Sequence, residues 1–165
     1  MKAKTILTFI VIALLSSCAT TFNSKLVENS TPLARNLFDS ISEDQFESGA
    51  FTSSRGTKLL YRVLPPIDPS TGKKYPLVVQ LHGSGGIGSD NLGQLERMAK
   101  SWAMPEVRAR YQSFVLIPQF PIRSANYGPP SPDQHAVASS ALDDLVELIK
   151  HFSTTQQVDS SRIYA

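Results

Sequence analysis

Read along its apolar and polar positions, the chain opens with Lys2 and Lys4 ahead of an apolar run over residues 6–15, which closes in Ser16-Ser17-Cys18. That run is half the ~20 residues a helix needs to cross a bilayer core, and charge, apolar stretch and small residues follow in the order of a secretory signal. Residues 19–49 are rich in Ser, Thr, Asn and acids, and only 33–41 place apolar residues at helical spacing. They predict a tether with one short docked helix. A strand follows over 57–66, with Leu60 and Arg62 on one face and Leu59, Tyr61 and Val63 on the other, stopped by Pro65-Pro66. Residues 67–76 read as a turn, and 77–81, "LVVQL", as a strand covered on both sides.

Beyond a glycine turn at 83–88, Ser89 or Asp90 can cap a helix in which Leu92, Leu95, Met98, Ala99 and Trp102 recur at three and four residues. Residues 113–120, "SFVLIPQF", predict the next buried strand. In "SPDQHAVASSALDDLVELIKHF", Ser131 is placed as N-cap, Pro132 at the first helical position and Gln134 as the partner in a capping box. Val137, Ala141, Leu145, Leu148, Ile149 and Phe152 form that helix's apolar face. Residues 160–165, "SSRIYA", open another strand. Strands alternating with helices predict an α/β fold: a mostly parallel sheet with helices on both faces.

Charge adds little. Lys and Arg number 16 against 14 Asp and Glu, and Lys2 and Lys4 belong to the signal, so the remainder is near neutral. No clustered basic face suits nucleic acid. Cys18 is the only cysteine, so no disulfide forms within the chain. "LSSC" at residues 15–18 resembles the bacterial lipobox, which implies cleavage before Cys18, lipidation of its thiol and acylation of the new terminus; an ordinary secretory signal with a bystander cysteine is the alternative. Such acyl chains suffice for stable anchoring. Ala19 in the next position resembles outer-membrane sorting, which places the protein in the cell envelope, held to its membrane through Cys18. The chain then divides into a lipoprotein signal peptide at 1–17, a polar tether at 18–48 and one domain at 49–165.

The glycine turn carries the chemistry. Gly83, Gly85 and Gly88 match G-x-G-x-x-G after a strand, the spacing of a dinucleotide site. Its context differs: Ser89-Asp90-Asn91 precede the helix, and the next strand ends in Pro118-Gln119 without the acid that holds a ribose. A phosphate-cradling loop needs a lysine after Gly88, where Ser89 stands. An oxyanion loop fits better. Acyl transfer places negative charge on a former carbonyl oxygen, and preorganised backbone N–H groups at the end of a buried strand receive it. Glycine lets that backbone turn tightly and come close to a substrate.

On these residues, "YPLVVQLHGSGGIGSDN" followed one helix later by "FVLIPQFP", the chain resembles the α/β-hydrolase group of predicted peptidases, phospholipase/carboxylesterases and dienelactone-hydrolase-like or depolymerase-type esterases. The resemblance covers about residues 51–165. It implies that the amides of Gly83 and Ser84 face the oxyanion, that His82 is a turn residue rather than a base, and that Asp90 and Asn91 cap and fix the loop. It implies no cofactor and no metal.

A serine hydrolase also needs a nucleophile, a base and an orienting acid, which α/β-hydrolases present in the order Ser, Asp or Glu, His, the serine within G-x-S-x-G. No G-x-S-x-G occurs here, and His82 two residues before Ser84 breaks the elbow pattern there. The family places the elbow directly after a strand of the "SRIYA" type, so the expected fold is the N-terminal half, stopping short of the elbow. His135 and His151 fall on the long helix, with Asp143 and Asp144 on its solvated side. The expectation is thus the front part of a secreted, lipid-anchored serine hydrolase of carboxylic esters, or of peptide bonds, with no catalytic Ser, Asp or His of its own and inactive alone. A non-catalytic surface lipoprotein acting as a binding module is the alternative, and a dinucleotide-binding oxidoreductase a more distant one. The strand from Ser161 is expected to present an unpaired apolar edge.

Overall fold

The computed structural model describes residues 35–127 and 135–165. Its strands are β1 (Glu47–Thr52), β2 (Lys58–Leu64), β3 (Tyr75–Val79), β4 (Phe114–Gln119), β5 (Ala125–Tyr127), β6 (Ala136–Ala138) and β7 (Val158–Tyr164). Its helices are α1 (Arg35–Asp39), α2 (Arg97–Ser101), α3 (Pro105–Arg110) and α4 (Ser140–Thr155). Five strands form one sheet in the order β1-β2-β4-β3-β7, and β5 and β6 make a separate antiparallel ribbon. β3 runs parallel to β4 and to β7, while β2 is antiparallel to β1 and to β4. In register, Leu77 lies between Phe114 and Ile163.

The centre of the sheet follows from β4, "FVLIPQ", in which every residue is buried. Successive side chains of a strand point to opposite faces. Phe114 and Leu116 therefore join Leu59, Val63, Leu77 and Val79 beneath α4, which contributes Ala141, Leu145, Leu148 and Phe152. Val115 and Ile117 face the other way and pack with Leu64, Leu95, Ala99 and Ala103 on the α2 side. Helices thus cover both faces of a sheet whose core strands are parallel, the architecture the alternation predicts.

Several boundaries differ from the sequence reading, each for a local reason. The tether expected through residue 48 joins the fold earlier: Phe46 is 1% exposed, and β1 begins at Glu47. α1 falls within the expected 33–41. The helix expected from about residue 91 is confined to Arg97–Ser101, and Leu92 and Met98 are exposed. Asp90 Oδ1 accepts from the N–H groups of Leu92 and Gly93, and Asn91 lies at φ 58°, so the backbone is committed to a turn that no helix can continue.

The long helix starts at Ser140, not near Ser131. Its N-cap is Ser139, whose Oγ accepts from Ala141 N–H at 3.2 Å. Val137 lies in β6 and is exposed, and His135 precedes that strand. Ser131, Pro132 and Gln134 lie outside the described residues. Ser139 N–H donates to Ser124 O, and Ser139 Oγ to Arg123 O, so the β5–β6 ribbon consumes the residues that the pattern had assigned to the first helical turns.

Asp144 is also not solvated: it is 2% exposed. Arg55, in the turn between β1 and β2, brings Nη2 to 2.8 Å from Asp144 Oδ1 and Nη1 to 2.8 Å from Asp143. The Asp144 contact is an ion pair by distance without hydrogen-bond alignment at that oxygen. Ser54 N and Oγ each donate to Glu147 at 2.7 Å. Burial raises the Asp144 pKa, but hydrogen bonds from Ser53 and Thr57 and the Arg55 charge outweigh it and hold the carboxyl below its ordinary value. The cluster clasps the β1–β2 hairpin to α4.

Candidate active site

The site forms where β3 runs out. Gln80 N–H still donates to Leu116 O at 2.9 Å, after which the chain leaves the sheet and turns at Ser84–Gly86 in a single 3-10 turn closed by Gly86 N–H to Gly83 O. His82 pins that turn to the neighbouring strand end. A backbone N–H can only donate and a carbonyl only accept, so Phe120 N–H at 3.0 Å meets an unprotonated Nε2, and Gly83 O at 2.6 Å meets a protonated Nδ1. Both ring nitrogens are thereby committed to backbone, and the ring lies against Phe120 at 5.5 Å. His82 acts as a turn residue here. A side chain at Gly86 would come within 2.7 Å of the His82 ring, which accounts for glycine at that position.

Asp90, Asn91 and Gln119 close the far side of the loop. Gln119, the last residue of β4, donates from Nε2 to Asp90 Oδ1 at 2.7 Å and to Gly86 O at 3.2 Å, and accepts from Asn91 N–H at 2.7 Å. The N–H groups of Gly93 and Leu92, with the Gln119 amide, bring the Asp90 pKa down to about 2. Asn91 is buried: its Nδ2 donates to Ser48 Oγ, its Oδ1 accepts from Gln94, and its carbonyl accepts from Arg62 Nε. Gln119, Gln94, Arg62 and Ser48 are site-supporting residues that sequence reasoning passed over. The signal for Gln119 was present, a polar residue closing an otherwise apolar strand.

Gly83 and Ser84 both border a cleft of about 170 Å3, together with His82, Ile87, Phe120 and Ile122. Their amides are not equivalent. Gly83 N–H donates to Glu96 Oε2 at 3.2 Å, whereas Ser84 N–H has no acceptor among the described residues. The loop therefore already presents one amide to a carboxylate oxygen. A larger groove of about 810 Å3 flanks β3 and β7 on the α3 side, walled by Val78, Leu81, Trp102, Tyr111 and Tyr164, and is not bordered by Gly83 or Ser84.

The remaining candidates are not gathered at the loop. His151 packs its ring 5.3 Å from Phe51, and Asp143 and Asp144 belong to the hairpin clasp. Among the described residues no group of three or more His, Cys, Asp or Glu could hold a metal ion, and no helix is long and apolar enough to cross a membrane. The signal segment and Cys18 lie outside the described residues.

The fold is that of solved hydrolases. The chain is similar to a thermostable esterase at 32% identity and a TM-score of 0.63, over 73% of this chain and 33% of the esterase. It thus spans about a third of that enzyme's length. Further similar structures are the BES protein from Bacillus cereus, at 14% identity and a TM-score of 0.47 over 74% of this chain and 53% of that one. Another is an esterase structure from Rhizomucor miehei, at 14% and 0.45 over 93% and 45%. No family model and no curated protein matches the sequence.

Proposed function

As a chain of the α/β-hydrolase superfamily, this protein is one that we propose to be the leading part of a serine hydrolase of carboxylic esters, with peptide bonds the second substrate class. The observation that supports the ester is the oxyanion-type loop at the end of β3 in a chain 32% identical to an esterase. In this reading the nucleophile belongs to a Gly-x-Ser-x-Gly turn that follows β7, and the orienting acid and the base come later still. The serine attacks the ester carbonyl, the histidine takes its proton, and the tetrahedral oxygen becomes negative. The part of this chain is to receive that charge through backbone N–H groups.

Ser84 N–H is the amide ready to do so, and Gly83 N–H joins it when Glu96 yields. Losing one such donor from an oxyanion hole costs roughly 10²–10³ in kcat. Residues 1–165 supply donors and no triad, so alone they are inactive. The lipobox-like segment adds location: Cys18 carries the lipid, and the enzyme works in the cell envelope, tethered to its membrane.

The test compares two proteins. The reading frame is followed beyond the Ala165 codon, and the 165-residue chain and its continuation are assayed on p-nitrophenyl acetate. The expected result is a serine elbow in the continuation, turnover by the longer protein and none by the shorter. A continuation without an elbow, or turnover by the shorter chain that Ser84→Ala removes, would overturn the assignment, the former in favour of a binding module. For the anchor, incorporation of labelled palmitate is expected in the parent and lost in Cys18→Ser; equal labelling would refute it.

A further inference from the structure

We propose that Gln119 is the positioning residue that holds the glycine loop in its oxyanion-receiving shape, a role that rests on the hydrolase reading above. Gln119 is 1% exposed and ends β4, where its backbone is paired in register with Leu60 of β2. Its side-chain amide is therefore referenced to the sheet rather than to the loop. Both polar atoms of that amide are engaged: Oε1 accepts from Asn91 N–H at 2.7 Å, while Nε2 donates to Gly86 O at 3.2 Å and to Asp90 Oδ1 at 2.7 Å. The orientation cannot be reversed, because a backbone N–H would then face an NH2 group and a carboxylate would face an oxygen.

The glycines around it carry the same message. A Cβ on Gly88 would stand 3.0 Å from Gln119 Nε2, and one on Gly93 3.2 Å. These two glycines make room for Gln119, and Gly86 makes room for His82. Gly83 and Gly85 are different: a Cβ on either meets nothing within 4 Å except the Glu96 carboxylate at 3.7 Å. The glycine-rich stretch thus divides into an inner set that admits two clamping side chains and an outer set that faces outward with the donors. Gly88 N–H donates to Phe120 O at 3.0 Å, which ties the loop to the residue after Gln119 as well. Preorganised donors are what make an oxyanion hole effective, since dipoles that must first reorient give up much of what they contribute.

The experiment uses the complete protein and two variants, Gln119→Glu and Gln119→Met, with kcat and KM for p-nitrophenyl acetate over a pH series and amide hydrogen exchange by residue. The glutamate places an ionised carboxylate against Asp90 and the Gly86 carbonyl. When protonated it regains a donor and restores part of the glutamine pattern. Gln119→Glu is expected to lower kcat by about 100-fold near neutral pH with KM within about threefold. The ratio of its kcat to the parent's should rise as the pH falls. Gln119→Met should lower kcat at every pH. In both, amides of residues 83–93 should exchange at least about tenfold faster while those of β2 and β4 keep their protection. Unchanged kcat in both variants, or a uniform loss of protection across β4 with a pH-independent deficit, would overturn the proposal. If the parent hydrolyses no ester, the hydrolase reading falls, and the exchange of residues 83–93 in Gln119→Met still decides whether Gln119 holds the loop.

Discussion

Two polar networks of this molecule are each built around an aspartate and fix different things. In the hairpin clasp, the carboxylates of the long helix are met from the turn, Asp143 and Asp144 by the Arg55 guanidinium and Glu147 by the N–H and hydroxyl of Ser54. In the glycine loop, Asp90 and Gln119 bind mostly backbone, and what they fix is the path of a chain that keeps the Ser84 N–H without an acceptor among the described residues. The clasp closes on itself. In the proposed reading the loop is held from behind so that its front can serve a ligand, and what sets the two clusters apart is which groups are left over.

The contrast can be broken most strongly at Gly86. Gly86→Ala forces a Cβ to within 2.7 Å of the His82 ring, so the loop or the ring must move. In the complete protein kcat on p-nitrophenyl acetate should fall by more than about 100-fold, while thermal stability drops by only about 1–3 kcal/mol. Asp144→Ala should lower stability without the loss of kcat. It removes the acceptor of the Ser53 and Thr57 hydroxyls and one of the two carboxylates beside Arg55, costing about 1–3 kcal/mol in a urea titration, with kcat at moderate temperature unchanged.

Acid probes the loop network. Asp90 has its pKa depressed to about 2, so whatever it contributes is fully present above the unfolded value of 3.8 and is lost as the pH falls through about 2. Its carboxyl resonance should titrate near pH 2 with the loop still ordered at pH 4; a midpoint at or above 3.8 would remove Asp90 from the clamp. The smallest effect belongs to Glu96. Glu96→Gln exchanges a charged acceptor of the Gly83 N–H for a neutral one, and kcat/KM should rise by no more than about threefold. A fall would make Glu96 a support of the loop instead of its competitor.

How much of this was legible in the sequence depended on how local the governing interactions are. β3, β4 and α4's apolar face were readable because burial on both sides of a strand, or on one side of a helix, writes itself as a run or a period. β1 was not, because Glu47-Ser48-Gly49 gives an edge strand almost no apolar signature, and Gly49 is there because Tyr61 lies over it. The helix expected after the loop failed where Asp90 captured two backbone N–H groups, a choice that propensity does not register. Asp144 was misplaced although the spacing contained the answer: Ala141, Asp144 and Leu148 lie three and four residues apart on the buried stripe. Gln119 was visible only as an exception in an apolar run, and its partners, 28 to 33 residues away in the chain, could be named only from the fold.

The most direct test of the central claim is to label the complete protein with a fluorophosphonate, which modifies activated serines, and to map the adduct by peptide sequencing. The account predicts no adduct on any serine up to Ala165, Ser84 included, and a single adduct on the serine of a Gly-x-Ser-x-Gly turn following β7. An adduct on Ser84, or a folded complete protein that takes up no label, would contradict it.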